Sequence, residues 1–306
     1  MQSWVKENLV YDGSHGLPTS FNYASMPTTL QVNDEIVRVY FASRNKSNFS
    51  SIFYLDLFIN GKEKKIVSVS SEPILSPGKP GLFDDCGVTP SCVTKIKEDY
   101  YLYYTGWNQQ NRIPFQTFCG IAKLSCDFKY AERVYEVPIL ERCVTEPLSV
   151  GACFVEYIPY KNIYIMWYES CNKWIIDKTS SNCFFSINLA FSNDGFNWKR
   201  ENKICIEPEN TENIVARPIV IFQENLYSMW YCAKDNGTYQ ITYAESKDGE
   251  NWNRKNNAIN FISKKTFWDN EQMCYPYVFN HDDKKYMLYN GNGYGKTGFG
   301  LATLKQ

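Results

Sequence analysis

The chain is poor in the residues that most often announce a function. Only 2 histidines occur in 306 residues, which leaves little for a His-centred triad or a His-rich metal site. His281 falls in the Asn280–Lys284 hairpin turn and reads as exposed and inert, while His15 lies in the N-terminal loop. Cysteine is plentiful, at 11 residues, but no two are spaced as C-x-x-C, so a zinc or dithiol motif is missing. Most sit in strand-like runs (Cys92, Cys119, Cys153, Cys183, Cys232) and read as small buried hydrophobes of a reducing compartment, so the expected location is the cytoplasm. Basic runs are missing too, and the formal net charge is −1. This removes the electrostatic footprint of a nucleic-acid or anionic-membrane partner. The opening MQSWVKENLVYDG has no apolar core of a secretory signal, and no apolar stretch approaches the length of a membrane span. Neither a Ser/His/Asp nor a Cys/His signature occurs, nor a phosphate-cradling glycine-rich strand–helix junction, so no cofactor and no metal ligand set are expected.

What the chain does have is aromatic side chains, 16% of residues, and a repeat. Aromatics favour pleated, half-buried strands and also stack on sugar rings. Five segments share one grammar. A first strand begins near Met26-Pro27-Thr28, Thr89-Pro90-Ser91, Gly151-Ala152-Cys153, Arg217-Pro218-Ile219 and Tyr275-Pro276-Tyr277. Second strands read RVYFASR from Arg38, YLYYTGW from Tyr101, IYIMWYES from Ile163, LYSMWYCA from Leu226 and KYMLYNGN from Lys285. Third strands start at Ser51, Cys119, Ser186, Ile241 and Gly298. The hairpin turns Ser192–Gly195 and Ser246–Gly249 are each followed by a Trp (Trp198, Trp252) that opens a fourth strand. A period of roughly sixty residues suits a four-stranded propeller blade. The expected fold is therefore an all-β, five-bladed propeller with four-stranded antiparallel blades around an axial pocket. The expected domain is single, 1–306, with blades near 20–75, 84–140, 146–207, 212–262 and 268–306, and with the N-terminal segment helping closure. A pair of β-sandwiches is the competing architecture.

In a propeller the innermost strands line the axis, and the loops entering them gather at one mouth. The entries to the first strands bring carboxylates: Asp84 and Asp85, Glu146, Glu212, then Asp269 and Glu271. Glycoside cleavage needs two, one to protonate the leaving oxygen and one to activate water or attack the sugar. Asp85, Glu146 and Glu271 are the catalytic candidates. For substrate binding the candidates are Asp84, Arg217, Asp269, the second-strand tryptophans Trp107 and Trp174, and Asn290 and Asn292 of the closing glycine-rich loop. Arg217 is costly to bury unpaired and is expected to meet either an axial carboxylate or an anionic substrate group. Arg44 is a weaker candidate of the same kind.

The SNDGFNW and SKDGENW turns, the strands Met166–Tyr168 and Met229–Tyr231, Ala216-Arg217-Pro218 and the closing YNGNGYGKTGFGLA resemble five-bladed propeller proteins of the arabinanase/xylosidase, invertase/levansucrase and mannoside-phosphorylase glycosidase groups. FDDCGVTPS, YYTGWN with Ile113-Pro114-Phe115, and WDNEQMCYPYVF are similar to a bacterial branch associated with surface-polysaccharide biosynthesis. The resemblance implies a carbohydrate-active enzyme whose partner is a carbohydrate or activated sugar. It makes Asp85 and Glu146 counterparts of the pKa-tuning Asp and the acid Glu. The first-blade Asp of arabinanase-type enzymes has no counterpart, because that position reads Ser25-Met26-Pro27. Hydrolysis, glycosyl transfer and phosphorolysis all stay open, as does a non-catalytic sugar-binding or scaffold propeller.

Overall fold

Alternating apolar and polar residues, rich in β-branched and aromatic types, make nearly the whole chain strand. The computed structural model describes residues 1–178, 180–262 and 266–305. After an N-terminal strand β1 (Gln2–Tyr11), the chain runs through antiparallel meanders. The first comprises β2 (Phe21–Gln31), β3 (Ile36–Asn45), β4 (Ser50–Asn60) and β5 (Glu63–Val69). The second comprises β6 (Gly87–Ile96), β7 (Asp99–Gln109), β8 (Phe115–Leu124) and β9 (Ala131–Arg133). The third holds β10 (Val150–Ile158), β11 (Ile163–Ile176), β12 (Ser181–Ser192) and β13 (Lys199–Ile206). The fourth holds β14 (Glu212–Gln223), β15 (Leu226–Asp235), β16 (Thr238–Ser246) and β17 (Asn253–Arg254).

The remaining strands are β18 (Ile259–Ile262), β19 (Cys274–His281), β20 (Lys284–Asn290) and β21 (Phe299–Leu304), and the short α1 (Asn292–Gly295) is the only helix among the described residues. They form one sheet in the order β18-β1-β21-β20-β19. The N-terminal strand β1 therefore joins the last meander, antiparallel to β21, and β18 runs parallel to β1 from the Gln2–Ile259 pair. The sheet boundary thus precedes Ile259, earlier than the sequence period suggests. Single parallel bridges, Ser50 to Gly87 and Phe185 to Ile214, link the first meander to the second and the third to the fourth. The first strands pack in a cycle: β2 on β6, β6 on β10, β10 on β14, β14 on β19, and β19 on β2.

The two S-x-D-G turns explain how neighbouring meanders lock. Asp194 Oδ1 accepts the N–H groups of Phe196 and Asn197, each at 2.8 Å, and Ser192 Oγ accepts that of Gly195 at 2.9 Å. The turn exposes Gly195 O to the Tyr103 hydroxyl of the preceding meander at 2.6 Å, and Gly249 O receives Trp167 Nε1 at 2.8 Å in the same way. Burial opposes the Asp194 charge, but the hydrogen bonds from Asn197, Phe196 and Ser192 outweigh it and lower its pKa from 3.8 to about 2. The folded carboxyl is thus the stronger acid. Its stabilisation is fully present above the unfolded value and is lost as pH falls through the folded one. Denaturation midpoints of wild type and Asp194→Ala should therefore differ at pH 5 and converge towards pH 2; a constant gap would contradict this.

His281 corrects the sequence reading. It is 4% exposed, with Nδ1 at 3.0 Å from Gln31 Oε1 and Nε2 at 2.9 Å from Ile59 O. Its ring sits at the end of β19 and ties the last sheet to the first. The turn itself, Asp282–Asp283, is exposed, but the ring reaches back into the β2–β5 meander.

One feature of the first strands positions the site. Each carries a β-bulge, and in four of them a non-glycine bulge residue is left-handed: Met26 (φ 57°), Ala152 (φ 38°), Arg217 (φ 56°) and Tyr275 (φ 54°). Such residues re-aim the chain at a conformational cost. Pro27, Pro218 and Pro276 follow three of them, suited to a bulge position where no N–H is needed for the ladder.

Candidate active site

Opposite the start of the bulge on four first strands lies one second-strand residue, Ala42, Glu169, Cys232 and Asn290 pairing with Ser25, Gly151, Ala216 and Cys274, and on β6 Thr105 pairs with Thr89 one position before the bulge. These five form an inner ring. Each left-handed N–H points into the ring and is accepted by the ring side chain of the preceding meander. Ala152 N donates to Thr105 Oγ1 at 2.7 Å, Arg217 N to Glu169 Oε1 at 2.8 Å, and Tyr275 N to Cys232 Sγ at 2.8 Å. Met26 N donates to Asn290 Oδ1 at 2.9 Å, which returns the sequence of bonds to the first meander. The exception obeys the same logic. Ala42 has no acceptor to offer, and the β6 bulge that follows it, around Ser91, has no left-handed residue.

Threonine, cysteine and asparagine therefore perform this structural task without charge. At Glu169 a carboxyl performs it and remains partly exposed. Burial raises its pKa from 4.5 to about 7, against the opposing pull of the Arg217 N–H and charge. A carboxyl poised there is protonated in a sizeable share of molecules at neutral pH and can donate that proton.

Two cations stand two residues beyond the ring on equivalent strands, Arg44 on β3 and Lys234 on β15. Arg44 lies 5.3 Å over the Trp107 ring, and its guanidinium donates to Asn48 O and Oδ1. Burial lowers its pKa, and the phenols of Tyr275 and Tyr23 oppose that shift. Lys234 Nζ lies 5.6 Å over Tyr239 and 5.8 Å over Tyr294. Neither cation has a carboxylate partner among the described residues.

The structure places the sequence candidates differently from one another. Asp84, Glu146 and Asp269 are 0%, 5% and 4% exposed and belong to a clamp repeated in each of their meanders. Asp84 pairs with Arg133 at 2.8 Å and accepts from Tyr104 at 3.1 Å. Glu146 pairs with Arg200 at 2.5 Å and accepts from Tyr168 at 2.9 Å and from Asn188. Asp269 pairs with Lys6 at 2.6 Å and accepts from Tyr289 at 2.9 Å. Glu212 completes the set with Arg254, at 2.7 and 2.8 Å. In each clamp a fourth-strand cation meets a carboxylate at the entry to the first strand. That pairing accounts for the repeated position of the carboxylates.

Asp85 is partly exposed, its Oδ2 accepting Gly81 N at 2.9 Å, and Glu271 is exposed. Asn290 donates to Ala24 O and Gly298 O, and Asn292 accepts from the Glu271 and Gln272 N–H groups while donating to Phe267 O and Asn270. Both amides are thus engaged within the protein. Trp107 donates Nε1 to Ser50 Oγ at 2.9 Å under the Arg44 cover. Trp174 packs edge-on to Phe115 at 5.4 Å and, partly exposed, adjoins the cluster of Cys171, Cys232 and Tyr239 beside the ring. The Arg217 guanidinium, 1% exposed, points away from solvent: Nη1 donates to Pro90 O at 2.6 Å, and Nη2 to Pro27 O at 3.1 Å and Thr28 Oγ1 at 2.8 Å. It meets carbonyls and a hydroxyl, where the sequence led us to expect a carboxylate or an anionic group of the substrate. Sequence reasoning passed over Glu169, whose signal is being the one carboxylate among five equivalent second-strand positions.

Residues 172–303, which hold Arg217, Lys234 and Asn290, match the family described as beta-1,4-mannooligosaccharide phosphorylase. Over those residues the match indicates an enzyme of the glycosidase and phosphorylase type. The chain belongs to the same family as "Uncharacterized protein Rv1502" of Mycobacterium tuberculosis (strain ATCC 25618 / H37Rv), with 33% identity over 306 residues and 99% of each chain covered. Its fold is that of propeller-type glycosidases. A solved "Glycoside hydrolase" superposes with a TM-score of 0.74 at 17% identity, covering 98% of this chain and 90% of that one. A thermostable family-43 glycoside hydrolase gives 0.61 at 15% identity, with 97% and 91% covered. A member of the GH130 family of mannoside phosphorylases, in a study of hydrolases that target β-1,2 mannosidic linkages in Candida mannan, gives 0.64 at 16%, with 92% and 84% covered.

Proposed function

We propose that the chain is a single-domain, five-bladed propeller enzyme that transfers a glycosyl group from a mannoside-type substrate to an anionic acceptor, phosphate, at the mouth of its inner ring. The carrying observation is that Glu169, alone among the ring residues, puts a protonatable carboxyl where neutral side chains serve elsewhere. Hydrolysis calls for two carboxylates flanking the scissile bond. Phosphate brings its own nucleophilic oxygen, so one proton donor suffices. In this reading the Glu169 proton passes to the leaving glycosidic oxygen while a phosphate oxygen bonds to the anomeric carbon. The sugar 1-phosphate and the shortened saccharide are the products.

Arg44 and Lys234, without carboxylate partners among the described residues, supply the charge that holds the phosphate, and Trp174 offers a partly exposed aromatic face to a sugar ring. The resemblance to a polysaccharide-associated bacterial branch supports a role in surface-polysaccharide metabolism, with a carbohydrate or activated sugar as partner. The 11 free thiols suit the cytoplasmic location we propose.

Removing one charge-assisted contact to the anion should raise the KM for phosphate in Arg44→Met or Lys234→Met by about 10–100-fold. Steady-state kinetics with varied phosphate measures this. An unchanged phosphate KM in both variants would remove the cations from the site.

A further inference from the structure

We propose that Arg217 is the positioning residue of Glu169: its buried guanidinium, anchored on β2 and β6, fixes the left-handed peptide whose N–H aims the carboxyl into the mouth. The inference rests on the reading of Glu169 as the proton donor. An arginine at φ 56° is strained, and such strain persists only where the surroundings over-determine it. Here they do. Hydrogen bonds to Pro90 O, Pro27 O and Thr28 Oγ1 hold the fork across two neighbouring first strands, so the peptide cannot relax without breaking them. The three other left-handed bulges are held with no such anchor, by Met26, Ala152 and Tyr275, and their acceptors are a neutral amide, hydroxyl and thiol. Arginine stands only where the acceptor is a carboxyl. A cation serves no purpose for the other acceptors, whereas beside Glu169 it limits how far burial can push the proton affinity upward.

The remaining titratable groups facing Glu169 are Cys171 on its own strand, Cys183 on β12, Cys232 on β15, Tyr239 on β16 and Tyr275 on β19. Burial raises all five, Cys171 to about 12 and Cys183 to about 11. They stay neutral at pH 7, which leaves Arg217 as the fixed charge in this set.

The test is a direct titration of the Glu169 carboxyl by NMR on the full chain carrying 13C-carboxyl glutamate, with the signal assigned from Glu169→Gln. Wild type should titrate near neutrality. Arg217→Met, which keeps the volume but removes charge and fork, should move the midpoint up by roughly one pH unit or more. Arg217→Lys should recover part of that rise, since the charge returns without the fork. Thr28→Val, which removes only the hydroxyl acceptor, should give a smaller rise in the same direction and guards against a misfolded Arg217→Met. A purely structural arginine would change stability and leave the midpoint in place. A midpoint near neutrality that is unmoved in the folded variants therefore overturns this inference alone. A wild-type carboxyl titrating in the ordinary glutamate range overturns the proton-donor reading and this inference with it.

Discussion

Glu169→Gln is expected to lower turnover by about 10²–10⁴-fold, the usual cost of removing a general acid, while the protein becomes more stable above neutral pH. The two effects share one cause. Glutamine can still accept the Arg217 N–H, now made at 2.8 Å, so the ring keeps its geometry, but no proton is available for the leaving group. Wild-type Glu169 has its carboxyl raised from 4.5 to about 7 by burial. A carboxyl raised on folding binds more protons in the native state than in the unfolded chain between those values. Native stability therefore falls as pH rises through that window and is flat above it. Removing the ionisable group lifts this penalty, which amounts to roughly 1–3 kcal/mol for a partly exposed group. Urea denaturation of both proteins at pH 4 and pH 8, run beside the activity assay, checks the pair of effects. A large activity loss with equal or lower stability at pH 8 would point to disruption of the ring and away from the loss of an acid.

Breaking a clamp should do the reverse. Glu146→Ala leaves the Arg200 guanidinium, the Tyr168 hydroxyl and the Asn188 amide without the carboxylate that now receives all three. Removing one partner of a buried pair costs about 3–5 kcal/mol because the remaining charge is uncompensated. The denaturation midpoint should fall accordingly. In the protein that remains folded, kcat should stay within about 3-fold of wild type, since surviving native molecules keep an intact ring. A variant of normal stability that has lost turnover would return Glu146 to the catalytic machinery.

The strands and their repeat were legible because each second strand carries its own local pattern, and MWY or YLYY can be compared by eye along the chain. The S-x-D-G turns were legible for the same reason, since the bonds that shape them fall within a few residues. The clamps were not. Asp84 lies 49 residues from Arg133, and Lys6 reaches Asp269 from the other end of the chain. A repeated carboxylate whose partner is remote looks like a repeated free carboxylate, which is why these positions suggested chemistry. Arg217 misled in another way. Its neighbours are the carbonyls of Pro27 and Pro90 and the hydroxyl of the distant Thr28, and backbone acceptors leave no trace in residue identities. Glu169 was hidden by its setting, one more polar residue after Met-Trp-Tyr in the middle of a strand. The geometry that singles it out is the bulge N–H of the following meander, 48 positions away. His281 followed the same rule: the turn around it is exposed, and only the path of its ring to Gln31 and Ile59 shows the burial.

The most direct measurement is product analysis of mannooligosaccharides incubated with the protein, with and without inorganic phosphate. The account predicts a sugar 1-phosphate that forms only when phosphate is present and disappears with Glu169→Gln. Free sugar released without phosphate, at a rate that Glu169→Gln leaves unchanged, would contradict it.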